Sequence, residues 1–179
     1  MTEIMKLCAV KEEQVRSQIE DLMKAEGNLT LTMKTLPGEV HLQISSKGED
    51  KETRKERKAL IRELKLRFGA SIYTTEPDKH LENVVVELLQ NQGLTVTTVE
   101  SCTGGALTAR IVNVPGTSDV LKQGLITYSN KAKRKFTLVK KSTLKDEGAV
   151  SARTAKEMAQ GAISSTGCDI SVSVTGLAG

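Results

Sequence analysis

Val99-Glu100-Ser101-Cys102-Thr103-Gly104-Gly105 lies between two runs of different periodicity. Leu94 to Val99 is apolar and β-branched, as a buried strand is, and Ala106 to Val112 reads as a helix. A strand that turns at once into a helix puts the turn at the C-terminal edge of a sheet. The unpaired N–H groups of the helix start converge there, favouring an anion or developing negative charge. Ser101 and Cys102 are nucleophile candidates at the tip, and Gly104 and Gly105 let a ligand approach the backbone closely. A capped turn without chemistry is the alternative.

Downstream, Val114 to Asp119 is a loop, Gly124 to Tyr128 a second strand and Lys131 to Phe136 a helix. Thr143 to Glu147 is a helical turn, and Ser151 is placed to cap an Ala-rich helix running to about Ser164. Asp169 to Val174 is a third strand, followed by Thr175-Gly176-Leu177-Ala178-Gly179. Strands alternating with helices imply a three-layer α/β/α domain with a mostly parallel sheet. Residues 99–105, 128–133 and 175–179 then share the edge where ligands bind such sheets. A sheet ending there keeps an open edge. The expectation is therefore a fragment, or a chain that needs a partner, a second copy giving a homo-oligomer among the options.

Upstream, Ile4 to Val10 is a short strand, and Val15, Ile19, Leu22 and Met23 form the apolar stripe of a helix over 11–25. Leu29, Leu31 and Met33, then Val40, Leu42 and Ile44, alternate with polar residues around Leu36-Pro37-Gly38-Glu39, which predicts a hairpin. Lys47 to Lys58 is a dense mixed-charge run leading into a helix that buries Leu60, Ile61 and Leu64, with Ser71 to Thr74 a last strand. The order β-α-β-β-α-β over residues 1–75 is that of a ferredoxin-like (KH-like) plait. The charge run reads as a solvated helix face and His41 as a surface residue without a partner. Glu76-Pro77-Asp78 marks the boundary to a second domain, 76–179, with Asp78 able to cap a helix whose first turn holds His80.

Composition narrows the classes. Two Tyr, two Phe and no Trp leave little for stacking single-stranded bases, which argues against nucleic acid, and a net charge of +4 leans only weakly toward anionic partners. Three widely spaced cysteines, Cys8, Cys102 and Cys168, suit reduced thiols in a cytoplasm better than disulfides or a zinc site. No stretch has the length of a membrane span.

Amide or ester hydrolysis needs a nucleophile, a base and oxyanion donors. Both histidines precede the loops of the second domain, so the base available to Ser101 is a lysine, with amides of Thr103 to Gly105 as donors. Lys133 follows Tyr128 by five residues, a spacing that can return both to one strand end. To act as a base it must be neutral, and burial or like charge from Lys131, Arg134 and Lys135 would lower its pKa. An exposed basic helix face is the alternative reading of 131–135. Cys102 as a thiol nucleophile is another, without a histidine to pair with.

The segments Thr98 to Gly105, Val114 to Ser118, Gly124 to Lys133, Glu147 to Ser151 and Val174 to Gly179 resemble successive blocks of the CinA family, in its C-terminal nicotinamide-nucleotide amidase domain. The resemblance implies hydrolysis of the carboxamide of nicotinamide mononucleotide to nicotinate mononucleotide and ammonia, a step of pyridine-nucleotide salvage. It puts the nucleophile on Ser101, the base on Lys133 and an assisting tyrosine on Tyr128. Cys102, Thr103, Gly104, Gly105, Asn130, Thr175 and Gly176 are the residues expected at substrate or oxyanion binding. The resemblance implies no metal and no organic cofactor. Residues 1–75 more weakly resemble the small α/β domain preceding the amidase in longer members, through Pro37 to Val40. Relative to those, the chain is expected to be truncated at both ends. The competing expectation is an inactive remnant serving as a nucleotide-binding or protein-interaction module.

Overall fold

The computed structural model describes residues 2–24 and 27–177, so the expected helix end at Ala25 and the last loop residues, Ala178 and Gly179, lie outside the described residues. The chain divides into two compact units, residues 1–84 and 85–179, the division falling inside a helix that follows the expected boundary.

In the first unit the order is β1 (Thr2–Cys8), α1 (Glu12–Met23), β2 (Leu29–Leu36), β3 (Glu39–Ser46), α2 (Lys51–Phe68) and β4 (Ile72–Thr74). The sheet runs β2-β3-β1-β4 with every pairing antiparallel, so β3 separates the two strands joined by α1, as the split βαβ requires. Leu36 pairs with Glu39 around Pro37-Gly38; Pro37 presets its own φ, and Gly38 takes a left-handed φ of 79° that a side chain would strain. Alternation along β3 sends Val40, Leu42 and Ile44 to one face, where they pack with Val15 and Ile19 of α1 and Leu64 and Phe68 of α2.

Three expectations change here. The charge run is not wholly solvated: Arg57 is buried, with Glu49 at 2.8 Å and Glu3 at 3.2 Å. His41 is half-buried with Nε2 3.1 Å from the Glu39 carboxylate, which also accepts from the Tyr73 hydroxyl. Among the described residues the cap expected from Asp78 is not seen: α3 begins only at Leu81, and its start is closed by the Asn83 side chain accepting from the His80 amide at 2.8 Å. Lys6, buried in β1, fixes the segment after β4 by donating to the carbonyls of Pro77 (2.6 Å) and Lys79 (2.7 Å).

The second unit takes in most of α3 (Leu81–Gln92) and continues as β5 (Val96–Glu100), α4 (Ala106–Val112), β6 (Leu121–Ile126), α5 (Asn130–Thr137), α6 (Lys141–Asp146), α7 (Ala152–Thr166) and β7 (Ile170–Val174). Its parallel sheet runs β6-β5-β7, with the central strand β5 buried along its whole length. Val96 packs with Val86, Leu89 and Ile111 on one face, whereas Val99 packs with Val139, Met158 and Ala162 on the other. These two clusters make the layers of an α/β/α sandwich, the fold class expected. Strand β6 lies earlier than expected, because Leu121 pairs with Val96, while Thr127 and Tyr128 leave the ladder. Helix α4 starts at Ala106, since Gly104 (φ 59°) and Gly105 (φ 107°) are left-handed.

Candidate active site

Period-2 alternation along β5 decides which side chain goes where. Val96 and Thr98 face α4, so Glu100 does too; Thr98 Oγ1 lies 2.6 Å from Thr108 Oγ1 of that helix. Val99 faces the α5–α7 layer, so Ser101, next on that side, is delivered to α5. The Ser101 amide donates to Val174 O at 3.0 Å, tying the turn to the end of β7.

Ser101 is 6% exposed and Lys133 1% exposed. Lys133 Nζ lies 2.7 Å from Ser101 Oγ, 2.8 Å from Thr127 O and 3.3 Å from Tyr128 O. Lys133 is the inward position of the first turns of α5, whose N-cap Ser129 accepts from the Ala132 amide at 3.1 Å. Burial pushes the Lys133 ammonium below its ordinary pKa of 10.5, against an opposing pull from Cys102. The expected like-charge contribution is absent. Lys131, Arg134 and Lys135 are exposed on the outer face of the helix, where water screens them.

A neutral amine has two N–H donors and one lone pair. The carbonyls of Thr127 and Tyr128 take the two donors, and the lone pair is left for the Ser101 hydroxyl. The same carbonyls also stabilise the ammonium formed when that proton moves. The Tyr128 ring, by contrast, is 71% exposed, and this residue meets Lys133 through its main chain.

The oxyanion donors differ from expectation. The Gly104 amide donates to Ser101 O at 3.1 Å and the Gly105 amide to Glu100 Oε2 at 3.2 Å, so neither is free. Among the described residues, the Cys102 and Thr103 amides of this turn have no partner. Cys102 is half-buried beside Gly176, where a Cβ would come within 3.1 Å of its Sγ. Thr175 turns its hydroxyl to Ala149 O at 2.8 Å rather than toward the turn, and Asn130 is exposed at the start of α5.

Two residues at the site have no counterpart in the expectations. Glu100 is fully buried, its carboxylate accepting from Leu107 N (2.9 Å), Thr108 N (2.8 Å) and Thr108 Oγ1 (2.6 Å) besides Gly105. These bonds outweigh the cost of burial and hold its pKa near 2. Thr127 is buried with its hydroxyl unpartnered, while its amide donates to Glu100 O at 2.7 Å. A glutamate closing an otherwise apolar strand was the available signal for the first. For the second there was none.

Among the described residues no three His, Cys, Asp or Glu gather as a metal site, and no helix is long and apolar enough to cross a membrane.

Residues 78–179 match the family described as CinA C-terminal domain, and residues 2–74 the one described as damage-inducible protein CinA KH domain. A CinA-like protein of Dictyoglomus turgidum is 38% identical over 179 residues, 99% of this chain and 43% of its own length. Another, of Kosmotoga olearia, is 40% identical over 179 residues, again 99% and 43%. The crystal structure of the competence/damage inducible protein CihA from Agrobacterium tumefaciens is similar with a TM-score of 0.54 and 40% identity, over 55% of this chain and 60% of that one. A CinA superfamily protein of Escherichia coli gives 0.54 and 32%, over 58% and 63%. The chain thus spans less than half the length of these two relatives. With its split-βαβ unit matched by the KH domain and its Ser101–Lys133 unit by the C-terminal domain, the chain belongs to the CinA family.

Proposed function

We propose that residues 76–179 are a nicotinamide-nucleotide amidase domain that hydrolyses the carboxamide of nicotinamide mononucleotide, and that residues 1–75 form a separate small plait domain. The observation that carries the activity is a lysine 1% exposed with its Nζ 2.7 Å from a buried serine hydroxyl. Family membership supports the substrate class.

Neutral Lys133 takes the Ser101 proton as Oγ adds to the carboxamide carbon. The oxyanion forms at the turn, where the Cys102 and Thr103 amides are the donors left over. The C–N bond then breaks, and the amine leaves as ammonia with the proton returned by Lys133. Water enters, gives a proton to Lys133 and attacks the acyl-enzyme. Nicotinate mononucleotide departs, and the proton goes back to Ser101 Oγ. The Tyr128 hydroxyl assists by turning in over bound substrate from its exposed position. The free thiols of Cys8, Cys102 and Cys168 fit a cytoplasmic setting.

The test is ammonia release from nicotinamide mononucleotide by this chain. The expected result is turnover that Ser101→Ala lowers by about a thousandfold or more, roughly 4 kcal/mol of transition-state stabilisation. Turnover unaffected by Ser101→Ala would remove the mechanism. Saturable binding of the nucleotide without turnover would favour the non-catalytic module.

A further inference from the structure

Glu100 is fully buried, immediately before the nucleophile, and has no place in the reaction sequence above. It is not an acid or a base there. Both carboxylate oxygens are occupied by the Gly105, Leu107 and Thr108 donors, and a carboxyl with a pKa of about 2 accepts protons poorly at neutral pH. Nor is it an ordinary helix cap, since it reaches from the strand across five to eight residues to a helix whose own N-cap is Gly105.

We propose that Glu100 is a positioning residue that aligns Ser101 with Lys133, its carboxylate locking the turn onto α4 and its carbonyl holding the peptide that cradles the lysine. The inference rests on the Ser101–Lys133 reading. The carboxylate holds the start of α4 from both sides, so the turn between Glu100 and Gly105, with Ser101 in it, has fixed ends. On the main-chain side, Glu100 O accepts from Thr127 N at 2.7 Å, and Thr127 O accepts from Lys133 Nζ at 2.8 Å. One residue therefore sets the height of both partners above the end of the sheet. The carboxylate also neutralises the positive end of α4, leaving no anion site there and confining free donors to the turn.

The experiment reads the pair without needing its substrate. A fluorophosphonate probe is reacted with the intact chain over a range of pH, and its attachment to Ser101 is followed by mass spectrometry. In the parent protein the labelling rate rises with pH through the lowered pKa of Lys133. Glu100→Gln turns an amide NH2 toward N–H donors. Thr108→Val removes one donor but keeps the charge. Both loosen the turn that carries Ser101 and the peptide that cradles Lys133, so labelling slows by about ten- to a hundredfold and the pH midpoint moves up by about one unit.

Asp169→Asn is the control. It removes a carboxylate that bridges Thr95 N (2.8 Å) and Thr95 Oγ1 (2.7 Å) at the opposite end of the sheet, and should leave the midpoint unchanged. Parent-like rate and midpoint in Thr108→Val, which decides if Glu100→Gln fails to fold, would overturn the proposal. So would a downward shift confined to Glu100→Gln, which would assign the effect to lost charge. No labelling of Ser101 in the parent would instead remove the dyad reading itself, and the inference with it.

Discussion

Lys133 is a lysine held where an ammonium is disfavoured, with its side chain almost wholly buried. Its lowered pKa comes from burial, so catalysis should rise with pH through that pKa and level off once the amine is neutral. Lys133→Arg tests this with a side chain of similar length that stays charged. A guanidinium cannot give up its proton, so turnover should fall by about a thousandfold, as in Lys133→Ala, when initial ammonia release is measured. Recovery of activity in Lys133→Arg would show that charge rather than basicity matters. The meeting of Ser101 with Lys133 was legible because both positions follow strands that end at one sheet edge, in blocks that resemble one family. The cause of the pKa shift was not. Neighbouring basic residues suggested repulsion, yet a helix sends positions 131, 134 and 135 outward when 133 points in. Glu100 was illegible for a related reason: its partners, at positions 105 to 108, become neighbours only once the strand, turn and helix have folded together.

The element that sets the lysine's position is α5, and its support comes from α7. Thr137 Oγ1, one turn beyond Lys133, donates to Lys133 O at 2.7 Å, and the Thr137 carbonyl lies against Gly161 of α7. A Cβ at Gly161 would sit 1.9 Å from Thr137 O and 2.4 Å from its carbonyl carbon, and backbone cannot swing aside as a side chain does. Gly161→Ala should therefore cost roughly 2–3 kcal/mol despite alanine's better helix propensity, with activity falling about tenfold as α5 is displaced. Urea unfolding and ammonia release measure the two effects. Ser151→Ala removes the α7 N-cap bond to Thr154 N (3.1 Å) and should cost about 1 kcal/mol without that loss of activity. The two positions also differ in legibility. Ser151 announces itself by its place before an Ala-rich run. Gly161 looks like a weak point in a helix, because the reason for it lies on another element. Strand β6 was displaced in the reading for the same cause: parallel register is set by β5, not by the local run of apolar residues.

At the scale of the molecule, the described apolar residues of each unit gather into clusters of their own. Met5, Leu7 and Ile44 belong to one, and Val99, Met158 and Val96 to the others. Alternation and the β-α-β-β-α-β order made this division readable, since each unit closes its own sheet. Separate cores predict two unfolding transitions, and acid should separate them further. Glu100 has a pKa near 2 folded against 4.5 when exposed, so its contribution of about 3 kcal/mol is complete above pH 4.5 and is lost as pH falls toward 2. The C-terminal unit should then melt earlier on acidification, and Glu100→Gln should flatten that dependence over the same interval. Calorimetry can assign the transitions. Gly161→Ala should lower one by on the order of 10 °C and leave the other in place, because position 161 contributes nothing to the core around Leu42. A single transition moved as a whole by Gly161→Ala would mean that the units unfold as one. The acid sensitivity of the site would then belong to the entire chain.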